Sequence, residues 1–91
     1  PTFTILQAYD TQPPLYHFDA YRLSGAEELY AIGFEDYLRE NAFVLVEWAN
    51  LVEEALPCRR MELHFQGSGS EPRKLRAVAR GEKYEEALGQ L

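Results

Sequence analysis

Short apolar segments alternate with polar turns along the chain, and their spacing predicts a mixture of strands and short helices. Residues 2–9 and 15–21 mix β-branched and aromatic residues on either side of a turn at 10–14 that contains two prolines. This pattern predicts an antiparallel pair of strands. The continuous apolar run at 42–46 predicts a further strand, covered on both faces.

A capping box predicts where the first helix begins. Ser24 is followed three residues later by Glu27, and such a pair satisfies the free N–H groups of a helix start. Leu29 and Ile32 would line one face of that helix, and Gly33 supplies a left-handed stop. The other predicted elements are a short helix at 34–40, a helical turn at 52–56, hairpin strands at 61–65 and 75–79, and a terminal helix at 82–91.

The second predicted strand has two faces of different character. Its alternation places Tyr16, Phe18 and Ala20 on one side, and this side is predicted to be core. The opposite side mixes polar with apolar groups, as the wall of a site would: Leu15, His17, Asp19 and Tyr21.

Length and composition predict one folded domain, residues 1–91. Ninety-one residues suffice for one domain, and 46% apolar and 13% aromatic residues favour a packed core over disorder. The chain begins at Pro1 inside a predicted strand, and we interpret it as the later part of a longer protein. A lone Cys58 and the absence of a long apolar run favour a cytoplasmic protein without a membrane span.

The charge is unevenly distributed. The net charge is −6, with ten acids and two bases in residues 1–57 and five acids and seven bases in residues 58–91. The acidic part would repel a phosphate backbone, which argues against direct nucleic-acid binding through it. The bases of the second part are interpreted as solvated strand positions, with a small face for an anionic partner as the alternative: Arg59, Arg60, Arg73, Lys74, Arg76 and Arg80.

Two carboxylates follow strand-like apolar segments, and both are candidate catalytic and metal-binding residues. Asp19 and Glu47 lie where strands of an α/β protein open into the ligand crevice, and phosphate-hydrolysing proteins hold magnesium in this way. Asp19 has an equally favoured structural interpretation, in which it pairs with Arg22 to fix the turn into the helix.

Glu47 and Trp48 form the stronger candidate. An acid that ends a buried strand pays a desolvation cost unless it meets a cation or hydrogen-bond donors, and magnesium bound through oxygen or water would meet that need. Trp48 offers a flat surface on which a base could stack. Its structural alternative is a partly exposed core aromatic. A further interpretation makes Asp19 and Glu47 the acid and base of another kind of hydrolase. It ranks last among the interpretations, because no sequence feature indicates a substrate for it.

Several motifs together resemble the TsaE (YjeE) family of small bacterial P-loop ATPases. That family carries Ser-Pro-Thr-[Tyr/Phe]-Thr, His-Phe-Asp-x-Tyr-Arg-Leu, Glu-Glu-Leu, Gly-x-x-[Asp/Glu]-Tyr and Val-Glu-Trp in this order. Here the last four positions of the first motif occur at residues 1–4, and the others at residues 17–23, 27–29, 33–37 and 46–48. The resemblance covers about the first half of the chain.

The resemblance implies a fold and residue roles. The expected fold is an α/β, P-loop NTPase-like mixed sheet with flanking helices that lacks the N-terminal strand, phosphate loop and first helix. ATP and Mg²⁺ are the implied substrate and cofactor. Thr2 would lie near the γ-phosphate and Trp48 close to the nucleotide. Asp19 would position the attacking water or the magnesium shell, and Glu47 would bind the magnesium ion.

The family's role implies partners as well. It serves the machinery that makes threonylcarbamoyladenosine on tRNA, so the expected partners are the TsaD and TsaB subunits, with tRNA reached only through them. The chain has no Gly-x-x-x-x-Gly-Lys-[Ser/Thr] motif, and we therefore expect it to be inactive as an ATPase by itself. The alternative is a non-catalytic interaction module that docks through its β-rich tail.

Overall fold

Two compact units make up the chain, Pro1–Leu56 and Pro57–Leu91. The computed structural model describes residues 5 to 91, so the predicted nucleotide-binding residue Thr2 lies outside the described part. The placement of the whole chain in a single ATPase domain stays a prediction. No helix in the described part is long and apolar enough to cross a membrane.

The first unit contains a mixed three-stranded sheet in the order β1-β2-β3. Its strands are β1 (Leu6–Tyr9), β2 (Leu15–Asp19) and β3 (Phe43–Glu47). β1 and β2 pair antiparallel, as predicted, because the proline-containing turn reverses the chain. β2 and β3 pair in parallel, since a helical segment with α1 (Ala26–Ala31) and α2 (Phe34–Leu38) carries the chain back between them.

The core of the first unit lies on one face of this sheet. Phe18 and Ala20 are fully buried, together with Leu29 of α1 and Phe34 of α2. Phe18 and Phe34 meet edge to face, with ring centroids 4.9 Å apart, a favoured aromatic geometry. The predicted core face of β2 is thus confirmed. Two short 3-10 turns follow at Ala49–Leu51 and Glu53–Ala55, and Val52 between them and Ala55 in the second belong to the same cluster.

The prediction that the third strand is covered on both faces is wrong for the described residues. Val44 and Val46 pack against the core, but Phe43 and Leu45 on the opposite face are 62% and 47% exposed. Helices and turns supply partners on one face only. A continuous apolar run shows that both faces of a strand are apolar, but it does not show which elements, if any, pack on each face.

The start of α1 differs from the predicted capping box. Ser24 does engage a glutamate, but that glutamate is Glu28, which accepts bonds from the Ser24 hydroxyl and, at 2.9 Å, from its backbone N–H. The helix itself begins at Ala26 with Gly25 as its N-cap, one residue later than the box requires. Gly33 has φ 84° and separates the two helices, as predicted for a left-handed stop.

The second unit is a hairpin followed by a helix. β4 (Arg60–Gln66) and β5 (Lys74–Arg80) pair antiparallel, and α3 spans Glu82–Gly89. The predicted hairpin and terminal helix are confirmed. Half-buried Tyr84 and Leu88 lie four residues apart on α3 and form its apolar stripe.

Candidate functional site at the carboxyl ends of two parallel strands

The two predicted acids lie side by side. Asp19 ends β2, Glu47 ends β3, and the two are register partners across the parallel pair. The ladder continues past them, because the Ala20 N–H donates to the Glu47 carbonyl at 3.0 Å. Paired residues of neighbouring strands project from the same face of a sheet. The two carboxylates therefore share one face and one edge.

Asp19 organises the turn that leaves β2. Its Oδ1 accepts a hydrogen bond from the Tyr21 N–H at 3.1 Å, a local bond that aspartate commonly makes in turns. The Arg22 guanidinium lies over the Tyr21 ring, 6.0 Å from its centroid. A carboxylate has about four acceptor positions, so this bond leaves Asp19 with capacity for a further ligand.

Glu47 is less buried than its sequence context predicted. Half of its side-chain surface is exposed, so the desolvation cost inferred from the apolar run is smaller than expected. Its Oε1 lies 2.6 Å from Nε2 of His17, within ion-pair distance, and Nε2 is a buried polar atom with no assigned hydrogen bond. His17 and Glu47 are thus in close contact at this edge of the sheet.

Trp48 occupies an unusual backbone conformation directly after Glu47. Its φ is 59° and its ψ is 38°, and among the described residues no other non-glycine has positive φ. A side chain with a Cβ pays about 1–2 kcal/mol for this left-handed conformation. The Trp48 and Tyr21 rings stack with centroids 4.9 Å apart and a 49° tilt. Strained backbone held by its surroundings is a feature of functional sites.

The two carboxylates suit a magnesium ion that takes its other ligands from elsewhere. Within residues 5–91, no group of three or more histidine, cysteine or acidic side chains is placed to hold a metal. Asp19 and Glu47 supply oxygen donors from adjacent strand ends. Mg²⁺ is commonly bound through one or two carboxylates, with waters and substrate phosphates completing its shell. The donor set therefore fits magnesium in the presence of phosphates.

Two contacts at this site were not predicted from the sequence. His17 reaches Glu47 diagonally across the parallel pair, and Tyr21 stacks on Trp48. The members of these two pairs are 30 and 27 residues apart in sequence, and only the register of β2 with β3 brings them together. The sequence feature that pointed towards these contacts was the alternation along β2, which placed His17, Asp19 and Tyr21 on one face.

Comparison with known proteins identifies the class to which this fold and site belong. The family model for "Threonylcarbamoyl adenosine biosynthesis protein TsaE" matches residues 1–75. A Bacillus subtilis protein named "tRNA threonylcarbamoyladenosine biosynthesis protein TsaE" is 40% identical over 86 residues, which are 93% of this chain and 53% of that protein. A Rickettsia felis protein of the same name is 39% identical over 67 residues, 72% of this chain and 39% of that protein.

A solved structure agrees with these sequence matches. The crystal structure of YdiB from Bacillus subtilis superposes with a TM-score of 0.79 at 35% identity, covering 97% of this chain and 55% of that one. The chain belongs to the TsaE family. Its α/β, P-loop NTPase-like fold class, a mixed sheet with flanking helices, is confirmed. It spans about half the length of the Bacillus relative and less of the Rickettsia one.

Proposed function

We propose that the protein containing this chain hydrolyses ATP with Mg²⁺ in the modification of tRNA to threonylcarbamoyladenosine. The support is the register pairing of Asp19 with Glu47 at the carboxyl edge of a parallel strand pair, in a chain of the TsaE family. Ligands of α/β sheets bind in the crevice at this edge. The modified nucleoside is taken from the names of the Bacillus and Rickettsia relatives.

Each residue has a distinct task in this proposal. Glu47, half exposed and beside His17, binds the cation. Asp19 orients the attacking water or a water of the cation's shell, while its Oδ1 holds the turn through Tyr21. Trp48 contacts the nucleotide base with its exposed ring. When bound, Mg²⁺ neutralises charge that develops on the transferring phosphoryl group.

The proposal extends to partners and location. The energy of hydrolysis would be coupled to the TsaD and TsaB subunits of the threonylcarbamoyl-transfer complex, with tRNA bound through them, in the cytoplasm. Residues 1–57 carry ten acids and two bases. Such a balance disfavours direct contact with an RNA backbone and supports a role for protein partners.

Replacing Glu47 tests the enzymatic part. In the whole protein, Glu47→Ala should reduce phosphate release from Mg-ATP by at least about a hundredfold, comparable to removal of one transition-state stabilising group. Glu53→Ala is the matched control, since this exposed acid lies in a nearby 3-10 turn. Undiminished hydrolysis by Glu47→Ala would refute the assignment.

A second candidate function is that of an interaction module. The observation in its favour is that this chain has no Gly-x-x-x-x-Gly-Lys-[Ser/Thr] phosphate loop, whose N–H groups and lysine form the main phosphate cradle. Calorimetry of the 91-residue chain with Mg-ATP separates the two candidates. Saturable binding would contradict a purely interactive role.

A further inference from the structure

The register of the hairpin concentrates positive charge on one of its faces. Alternate residues of β4 and β5 share this face, and their cross-strand pairs are Arg60 with Arg80, His64 with Arg76, and Gln66 with Lys74. The remaining pair is Glu62 with Val78. We call these eight residues the basic face. It carries four arginine or lysine side chains and one acid, a formal balance of +3 in a chain whose net charge is −6.

The half of the basic face that contains Arg60 and Arg80, at the open end of the hairpin, is held in a fixed arrangement. Glu62 Oε2 accepts hydrogen bonds at 2.8 Å from Nε of Arg60 and from Nε of Arg80, and its Oε1 lies 3.0 Å from Nε2 of His64. A carboxylate that is only 18% exposed thus orients two guanidinium groups. Arginines held in place lose less conformational entropy on binding.

The other half of the basic face, next to the hairpin turn, presents its charges to solvent. Lys74 and Arg76 are exposed, and within the described residues neither takes part in an ion pair. Alternate residues of a strand are about 6.6 Å apart, so the bases form a row along the ribbon. Such a row matches a complementary row of carboxylates or phosphates.

We infer that the basic face of the β4–β5 hairpin docks an acidic surface of a protein partner. The inference deepens the proposed function, since it assigns a surface to the coupling with partner subunits. Charge balance favours a protein over RNA: the strongly acidic residues 1–57 repel a polyanion at long range. A partner protein whose negative charge is confined to one patch is repelled less than RNA is. Arginine is also enriched in protein interfaces.

Charge reversal on the basic face provides the test. The whole protein is titrated with the purified TsaD–TsaB complex, comparing wild type with Arg76→Glu and with Lys74→Glu/Arg76→Glu. We expect the association rate to fall by roughly tenfold or more for the double variant, because charges at an interface rim act mainly on the association rate. The wild-type affinity should weaken as salt rises.

A matched control separates a local effect from a change in net charge. Lys83→Glu makes the same change of charge as the single variant Arg76→Glu, but on α3, outside the two strands, and should leave the association rate within about twofold of wild type. Basal ATP hydrolysis and circular dichroism should be unchanged in all variants. Equal association by wild type and the double variant would overturn the inference.

Two further outcomes are decisive. If the wild-type protein does not bind TsaD–TsaB, the partner part of the proposed function fails, and the inference fails with it. If the wild-type protein binds isolated tRNA directly and the double variant does not, the basic face is an RNA site, which contradicts an acidic protein as its occupant.

Discussion

Truncation of Phe18 should destabilise the fold beneath the site more than any substitution within the site. The side chain is completely buried and packs edge to face against Phe34 at 4.9 Å and Tyr37 at 5.5 Å. Phe18 also lies between His17 and Asp19 on β2, with its side chain on the opposite face. Loss of this anchor would therefore loosen the strand that carries the site.

The magnitude follows from burial and from the two ring contacts. Phe-to-Ala changes in a core cost about 3–5 kcal/mol, and each aromatic pair accounts for about 0.5–1.5 kcal/mol. We therefore expect Phe18→Ala to lower the free energy of unfolding by about 4 kcal/mol. Small domains have about 5–15 kcal/mol in total, so the loss would leave a marginal fold. Phe18→Leu, which keeps most of the volume, should cost about 1–1.5 kcal/mol.

Urea unfolding of the chain provides the assay. The chain contains a single tryptophan, and Trp48 directly follows β3, so its fluorescence follows the unit that contains Phe18. Asp19→Asn is the control, and its half-buried side chain should leave the midpoint nearly unchanged. A loss below about 1 kcal/mol for Phe18→Ala would refute the assignment of Phe18 to the centre of the core.

Three further predictions concern single contacts. Hydrogen bonds from His64, Arg80 and Arg60 lower the pKa of Glu62 from 4.5 to about 2. The stability that these bonds contribute should therefore be complete above pH 4.5 and lost as the pH falls towards 2. Glu62→Gln should abolish this pH dependence in thermal unfolding scans. Tyr21→Ala removes the ring packed on Trp48 and should change the tryptophan emission, whereas Tyr9→Ala, which lies beside the other end of β2, should not. A bond to Glu40 raises the pKa of Tyr16, so Glu40→Gln should lower the pH at which the Tyr16 phenol ionises in an absorbance titration; an unchanged midpoint would contradict the contact.

Local sequence patterns predicted the elements well because those elements depend on neighbouring residues. The strands of the first sheet and the hairpin follow alternation and turn residues, and Gly33 separates two helices because a left-handed position favours glycine. The capping box was predicted between Ser24 and Glu27, but Ser24 bonds Glu28 instead. Local patterns locate a helix end only to within one or two residues.

Contacts between strands were harder to predict because they depend on register. The position of Asp19 opposite Glu47 follows from the way the helical crossover returns β3 beside β2, and no local signal fixes that return. The same register brings His17 to Glu47 and Tyr21 to Trp48. The exposed Phe43 and Leu45 show the same limit, since a strand's composition does not identify the layer that covers it.

The shared cation site of Asp19 and Glu47 can be tested most directly with a paramagnetic ion. In the ¹⁵N-labelled whole protein, Mn²⁺ bound with ATP in place of Mg²⁺ should broaden the amide resonances around both residues together, because their backbones are paired across adjacent strands about 5 Å apart. Broadening at only one of the two strand ends, or at neither, would contradict a single cation held between them.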